Sequence, residues 1–173
     1  MKEVVFERSF DPRRCRHLLD GRTSVLHCHH YSTLYTQLAD DCTMLDARGL
    51  LARVAAETFF GILSSLLRKH ALETPAERLA AAERYYAFAG LGKLKILSAG
   101  PETGEAELER SHVDEGWIRK WGRRDSPVNF ITQGFLAAAF AAAFDRNPLD
   151  YVVREISSIV SGADRSWFQV ARG

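Results

Sequence analysis

The sequence predicts an α+β domain with a mainly antiparallel sheet whose helices pack on one face. Three observations carry this. Short β-like runs lie towards both ends of the chain, the middle is dominated by apolar residues at helical spacing, and two Gly-containing turns between alternating runs read as hairpins. The 173 residues, 46% hydrophobic and 26% charged, suit a single domain over residues 1–173 with a buried core.

Residues 4–7 form a short β-like run, and residues 11–21 are polar and basic with no clear period. Residues 23–29 read as a strand from their β-branched and apolar side chains. Over residues 31–47, Leu34, Leu38, Cys42 and Leu45 recur at near-helical spacing, with Ser32 as N-cap. Residues 50–72 continue with Val54, Phe59, Ile62, Leu63, Leu66 and Leu67. Arg68, Lys69 and His70 near the end of that run suit a helix dipole. Thr74-Pro75-Ala76-Glu77 joins an N-cap, a first-turn proline and a capping-box glutamate, opening a helix that runs to Ala89 and stops at Gly90 or Gly92. Residues 93–98 and 105–112 flank the turn at 100–104 as a hairpin, and residues 117–122 read as an aromatic, basic connection. Ser126-Pro127 opens an apolar helix through Phe144, which stops before Asn147-Pro148. Residues 151–160 and 166–171 form the second hairpin around 161–164.

Charge and cysteine content exclude several classes. Lys plus Arg number 23 and Asp plus Glu 22, a net charge of +1. The basic pairs Arg13/Arg14, Arg68/Lys69 and Arg123/Arg124 are scattered among acidic neighbours, so nucleic acid is not expected as a partner. Cys15, Cys28 and Cys42 are odd in number and irregularly spaced, and residues 1–10 carry Lys2, Glu3, Glu7 and Arg8 instead of an apolar leader. A cytoplasmic location without a disulfide framework is the expectation. The most apolar stretch, residues 128–144, contains Asn129, Thr132 and Gln133 and falls short of the roughly 20 residues a bilayer requires, so no membrane span is expected. Neither a nucleophile elbow nor a phosphate-binding glycine loop is present.

His27-Cys28-His29-His30 is the most unusual segment, holding three of the six histidines. On a strand, His27 and His29 would share a face, and two imidazoles so placed chelate Zn or Fe. His27, His29 and Cys28 are thus candidate metal ligands, with His112, Asp114 or Glu115 as sources of a further one. The same cluster also fits a buried, hydrogen-bonded structural group, haem ligation, direct ligand recognition, or proton transfer near neutral pH. Asn129 and Gln133, four residues apart amid Phe130, Phe135 and Phe140, could orient a mostly apolar ligand. Tyr86 and Trp117 are candidates to line or close the same cavity.

The run over residues 117–122, then Pro127-Val128-Asn129-Phe130 and Gly134-Phe135-Leu136, resembles the 4-vinyl reductase (V4R) domain family. The likeness continues through residues 151–158, Gly162 and Ser166-Trp167-Phe168-Gln169-Val170, and is clearest over residues 90–173. Family members end in Glu-x-x-Cys, a glycine turn and a second Cys. The matching positions here are Glu155, Ser158 and Ser166. The resemblance implies a module related in fold to subunits of trafficking (TRAPP) complexes, a pocket for a small hydrophobic molecule, and a homodimer. In sensor members the Glu and the Cys pair help hold zinc. A neutral hydroxyl is a poor zinc ligand, so no zinc is expected at Glu155/Ser158/Ser166, and the serines should instead hydrogen-bond backbone.

These readings converge on a small-molecule binding or sensing module for a hydrophobic or aromatic ligand. Its candidate contacts are His27, His29, His30, Asn129, Gln133, Trp117 and Tyr86. The alternative is a small metal- or His/Cys-dependent enzyme, hydrolase or reductase, acting on a ring-containing substrate. An assembly subunit is a third reading.

Overall fold

The computed structural model describes residues 4–25 and 28–173. Its first elements are a three-stranded antiparallel meander, β1 (Arg8–Asp11), β2 (Arg16–Leu19) and β3 (Arg22–Ser24). The polar run 11–21 is therefore strand and turn. Asp11 accepts the backbone N–H groups of Arg13 and Arg14 across the first turn. Asp20 at φ 49° and Gly21 at φ 82° form the second, since a tight hairpin turn needs two left-handed residues. Residues 4–7, expected as a strand, are irregular.

The strand expected over 23–29 is also corrected. β3 ends at Ser24, residues 26 and 27 lie outside the described residues, and helix α1 (His29–Asp41) begins where the strand was expected to end. The long α2 (Ala47–Lys69) follows, then α3 (Pro75–Phe88). The full capping box is in place at the start of α3: the Thr74 hydroxyl accepts Glu77 N–H, and the Glu77 carboxylate accepts Thr74 N–H.

β4 (Gly92–Ala99) and β5 (Thr103–Ser111) form the expected hairpin, and α4 (His112–Trp121) replaces the expected connection. Its end signals are conventional. The Ser111 hydroxyl caps it, Asp114 and Glu115 lie in its first turn, Arg119 and Lys120 in its last, and Gly122 at φ 83° ends it. α5 (Phe130–Phe144), β6 (Tyr151–Ser157) and β7 (Ser166–Arg172) complete the chain. The four-stranded sheet is antiparallel throughout in the order β4-β5-β7-β6.

One face of this sheet is covered by helices. Along β5, Gly104, Ala106 and Leu108 are buried at alternate positions, whereas Leu97, Val152 and Ile156 on the opposite face are exposed. α5 lies between the sheet and α2, and because it is apolar all round, both its sides can be buried. Phe135, Leu136, Phe140, Leu108 and Phe168 have no exposed surface. α2 is long and apolar enough to cross a bilayer by length and composition. It nevertheless buries Ala55, Ala56, Leu63, Leu66 and Leu67 and packs along α5.

The α2–α5 contact is close because α5 carries small residues there. A Cβ on Gly134 would stand 2.1 Å from the Ala52 carbonyl oxygen and 2.7 Å from the Ala55 methyl. Gly134→Val should therefore force the two helices apart and lower the unfolding free energy by about 2–3 kcal/mol. Urea unfolding checks this, and a variant as stable as the parent would show that the helices have room to part.

Candidate functional site

A knot of polar side chains fixes where the site is built. Asp114, on α4, is fully buried. Its Oδ1 accepts the Ser158 hydroxyl at 3.1 Å and Val160 N–H at 3.0 Å, and its Oδ2 accepts Asn129 Nδ2 at 2.7 Å and the Ser166 hydroxyl at 3.3 Å. Asn129, the residue before α5, is also fully buried, and its amide is saturated. Nδ2 donates to both Asp114 and Glu155, and Oδ1 accepts the Ser111 hydroxyl at 2.9 Å. Burial and the neighbouring Asp114 charge push the Glu155 carboxyl up to about 7, against the pull of the Asn129 hydrogen bond.

This donor set does not fit zinc. The resemblance places a zinc site at Glu155, Ser158 and Ser166, but here neither serine presents a thiolate, and both hydroxyl hydrogens point at Asp114. The expectation that the serines bind backbone holds in one direction: the Ser166 oxygen accepts Ile159 N–H at 2.9 Å. The knot ties the starts of α4 and α5 to the β6–β7 hairpin through hydrogen bonds.

The sequence-predicted site residues do not gather around one cavity. Tyr86 is a core residue, its hydroxyl 2.7 Å from Thr132 Oγ1 and its pKa raised by burial. Trp117 is buried with Val113, Val128 and Val160 in a smaller second core. Its ring lies 4.6 Å from that of Trp121, with Arg124 over it at 4.7 Å. Gln133 lines a shallow depression between α2, α5 and β6, away from Asn129. Cys28 is exposed at the N-cap of α1, and His27 lies outside the described residues. Among the described residues no group of three or more His, Cys, Asp or Glu is spaced to hold a metal ion. The strand geometry that suggested His27, His29 and Cys28 as ligands is replaced by a helix start at His29.

His29 and His30 do meet a third histidine. The His29 ring lies 4.3 Å from that of His30 and 5.9 Å from that of His112, the first residue of α4. α1 and α4 approach this closely because of Gly116, where a Cβ would stand 2.7 Å from the His29 Cβ. Desolvation and the positive charges of His30, Arg119 and His112 hold the His29 pKa below the usual histidine value.

Beside His112 opens a cavity of about 490 Å³ that sequence reasoning missed. Its walls include Leu19 of β2, Phe59 of α2, Tyr85 of α3 and Ile131 of α5, with Arg8 of β1 and His112 as the basic residues among those described. The Asp20-Gly21 dipeptide was the legible signal, since it marks the tight turn from β2 into β3 directly after the wall residue Leu19. A larger depression of about 660 Å³ lies between α2 and the end of α5, but its lining includes Arg68, Glu73, Arg78, Asp145 and Arg146. Arg78 there is already bound to the Ala142 and Ala143 carbonyls and to Asp145.

The chain has an α+β fold like that of solved V4R and trafficking-complex proteins. No protein-family model matches the chain, and no curated protein matches it. Among solved structures it is similar to the phenol-responsive sensory domain of the transcription activator PoxR with phenol, at TM-score 0.78 and 17% identity over 95% of this chain and 84% of that one. It is also similar to a vinyl-4-reductase family protein from Methanocaldococcus jannaschii, at TM-score 0.57 and 16% identity over 87% of this chain and 84% of that one. A trafficking protein particle complex subunit 3 from Naegleria fowleri, covalently bound to palmitic acid, matches at TM-score 0.56 and 12% identity, over 83% of this chain and 91% of that one. At these identities the likeness is one of fold.

The knot makes stability depend on pH in a stated direction. Glu155 holds its proton more tightly folded than unfolded, so its contribution favours the fold at low pH and is lost as pH rises from about 4.5 through about 7. Between pH 5.5 and 8 the Tm of the parent should fall by roughly 5 °C more than that of Glu155→Gln. Parallel curves for the two proteins would show that Glu155 takes up no proton on folding.

Proposed function

We propose that the chain is a binding or sensing module for a small hydrophobic or aromatic molecule, held in the cavity between the N-terminal meander and helices α1, α2, α3 and α5. The observation that carries this is the cavity itself. About 490 Å³ lies within the range of small-molecule sites, and Leu19, Phe59, Tyr85, Leu91 and Ile131 give it largely apolar walls. The space between α5 and the sheet, by contrast, is filled by the chain's own side chains. The fold shared with a phenol-responsive sensory domain supports the reading.

Calorimetric titration with phenol, benzamide and benzoate should detect at least one ligand. Ile131→Trp, which fills the cavity from α5, should weaken that binding by about tenfold or more while leaving the Tm near the parent's. Absence of binding by all three, or equal binding to Ile131→Trp, would remove the cavity reading. Consumption of the added compound over time would point instead to the enzyme alternative.

The homodimer implied by the family resemblance belongs to the same proposal. Leu34 and Leu38 of α1, Leu45 before α2, and Leu50 and Val54 of α2 are all exposed, and a second copy would cover them. Sedimentation should find twice the chain mass, reduced to the single chain in Leu50→Glu/Val54→Glu. A parent that sediments as a monomer at high micromolar concentration would rule the dimer out.

A further inference from the structure

The cavity's charge narrows the kind of molecule it would take. Among its described lining residues, Arg8 and His112 are the basic ones, and none is Asp or Glu. Arg8 is held in place: it stacks over the Phe88 ring at 4.6 Å and donates one N–H to the Phe88 carbonyl oxygen. A guanidinium carries five N–H donors in a planar fork, so most of them are left for a ligand. Among the described ion pairs, no carboxylate neutralises it.

His112 is equally fixed. Its backbone N–H donates to the Leu91 carbonyl at 3.0 Å, and as the first residue of α4 it stands at the positive end of that helix. Behind it lie His29 and His30 at the start of α1, a helix with no acidic residue in its first turn and no side-chain cap. The buried His29 Nε2 has no hydrogen-bond partner among the described residues. Apolar and aromatic walls edged by the Arg8 guanidinium, the His112 imidazole and the Ser24, Ser32 and Tyr35 hydroxyls, with no carboxylate among the described lining residues, suit a ligand that is apolar at one end and anionic at the other.

We propose that the cavity selects small aromatic carboxylates, with the carboxylate received by Arg8 and His112 and the ring lying among Leu19, Phe59, Tyr85 and Ile131. This rests on the cavity being the binding site. The anionic group exchanges water for the Arg8 fork and the His112 imidazole, while a neutral ring of the same shape gains only the apolar contacts.

The test compares benzoate with benzamide, a neutral molecule of nearly the same shape, by calorimetric titration of the full chain at neutral pH. Benzoate should bind about tenfold or more tightly, and its affinity should fall with added salt while that of benzamide stays within about twofold. Arg8→Gln and His112→Gln should each weaken benzoate by about tenfold and leave benzamide within about twofold, and Arg8→Lys should recover part of the loss. Two single variants on different elements guard against one of them disturbing the fold.

Equal or tighter binding of benzamide or phenol would overturn the selection for anions and leave the aromatic-binding reading standing. So would benzoate affinity that neither Arg8→Gln nor His112→Gln changes. If no ring compound binds at all, the cavity reading falls and the anion proposal falls with it.

Discussion

Asp114 has no solvent exposure, yet it gathers hydrogen bonds from Ser158, Val160, Asn129 and Ser166. An isolated buried carboxylate would cost several kcal/mol, and four donors offset that cost only if each stands where it does. The requirement runs outward. Ser111 must begin α4, Asn129 must precede α5 with its amide turned towards two carboxylates, and the β6–β7 hairpin must close so that Ser158 and Ser166 face inward. Three parts of the chain far apart in sequence are thereby fixed to one anion.

The polarity of this hub is the reverse of a metal centre. Around a cation, ligands supply lone pairs. Around Asp114, the serines at the positions matched to the family's cysteines supply hydrogens instead. The fold is thus held at the same corner by a different chemistry. Glu155 is buried beside this like charge, and burial first and the Asp114 charge second are why its proton is held so tightly.

Local signals were well marked in the sequence. Thr74 to Glu77 reads as a helix start because each residue has its own capping role, and both hairpins of the large sheet follow from alternation around glycine turns. α4 reads in sequence as an aromatic, basic connection although Ser111, Asp114, Lys120 and Gly122 mark its ends, because ten residues with charges at Asp114, Glu115, Arg119 and Lys120 leave only a short apolar stripe. Residues 23–29 misled for a physical reason: a run of β-branched residues resembles a strand until the helix beginning at His29 interrupts it. The site was far less legible. Asp114 reads as one acid among many, and nothing in sequence brings Arg8 and His112 to one cavity. Asn129 was noticed as an amide in an apolar run, but its work is to join carboxylates that lie fifteen residues before and twenty-six residues after it.

The small residues of α5 have a consequence for how such a chain can change over generations. Where Gly134 meets α2, and where Gly104 of the neighbouring strand meets the Phe140 ring, nearly every substitution adds atoms to occupied space. Drift at these places is blocked in almost every direction. The walls of the cavity are less constrained on one side, since Leu19, Phe59, Tyr85 and Ile131 border open volume there while Leu19, Phe59 and Tyr85 pack against the core behind it. Selection can therefore reshape the open side of the cavity while the scaffold around α5 stays as it is.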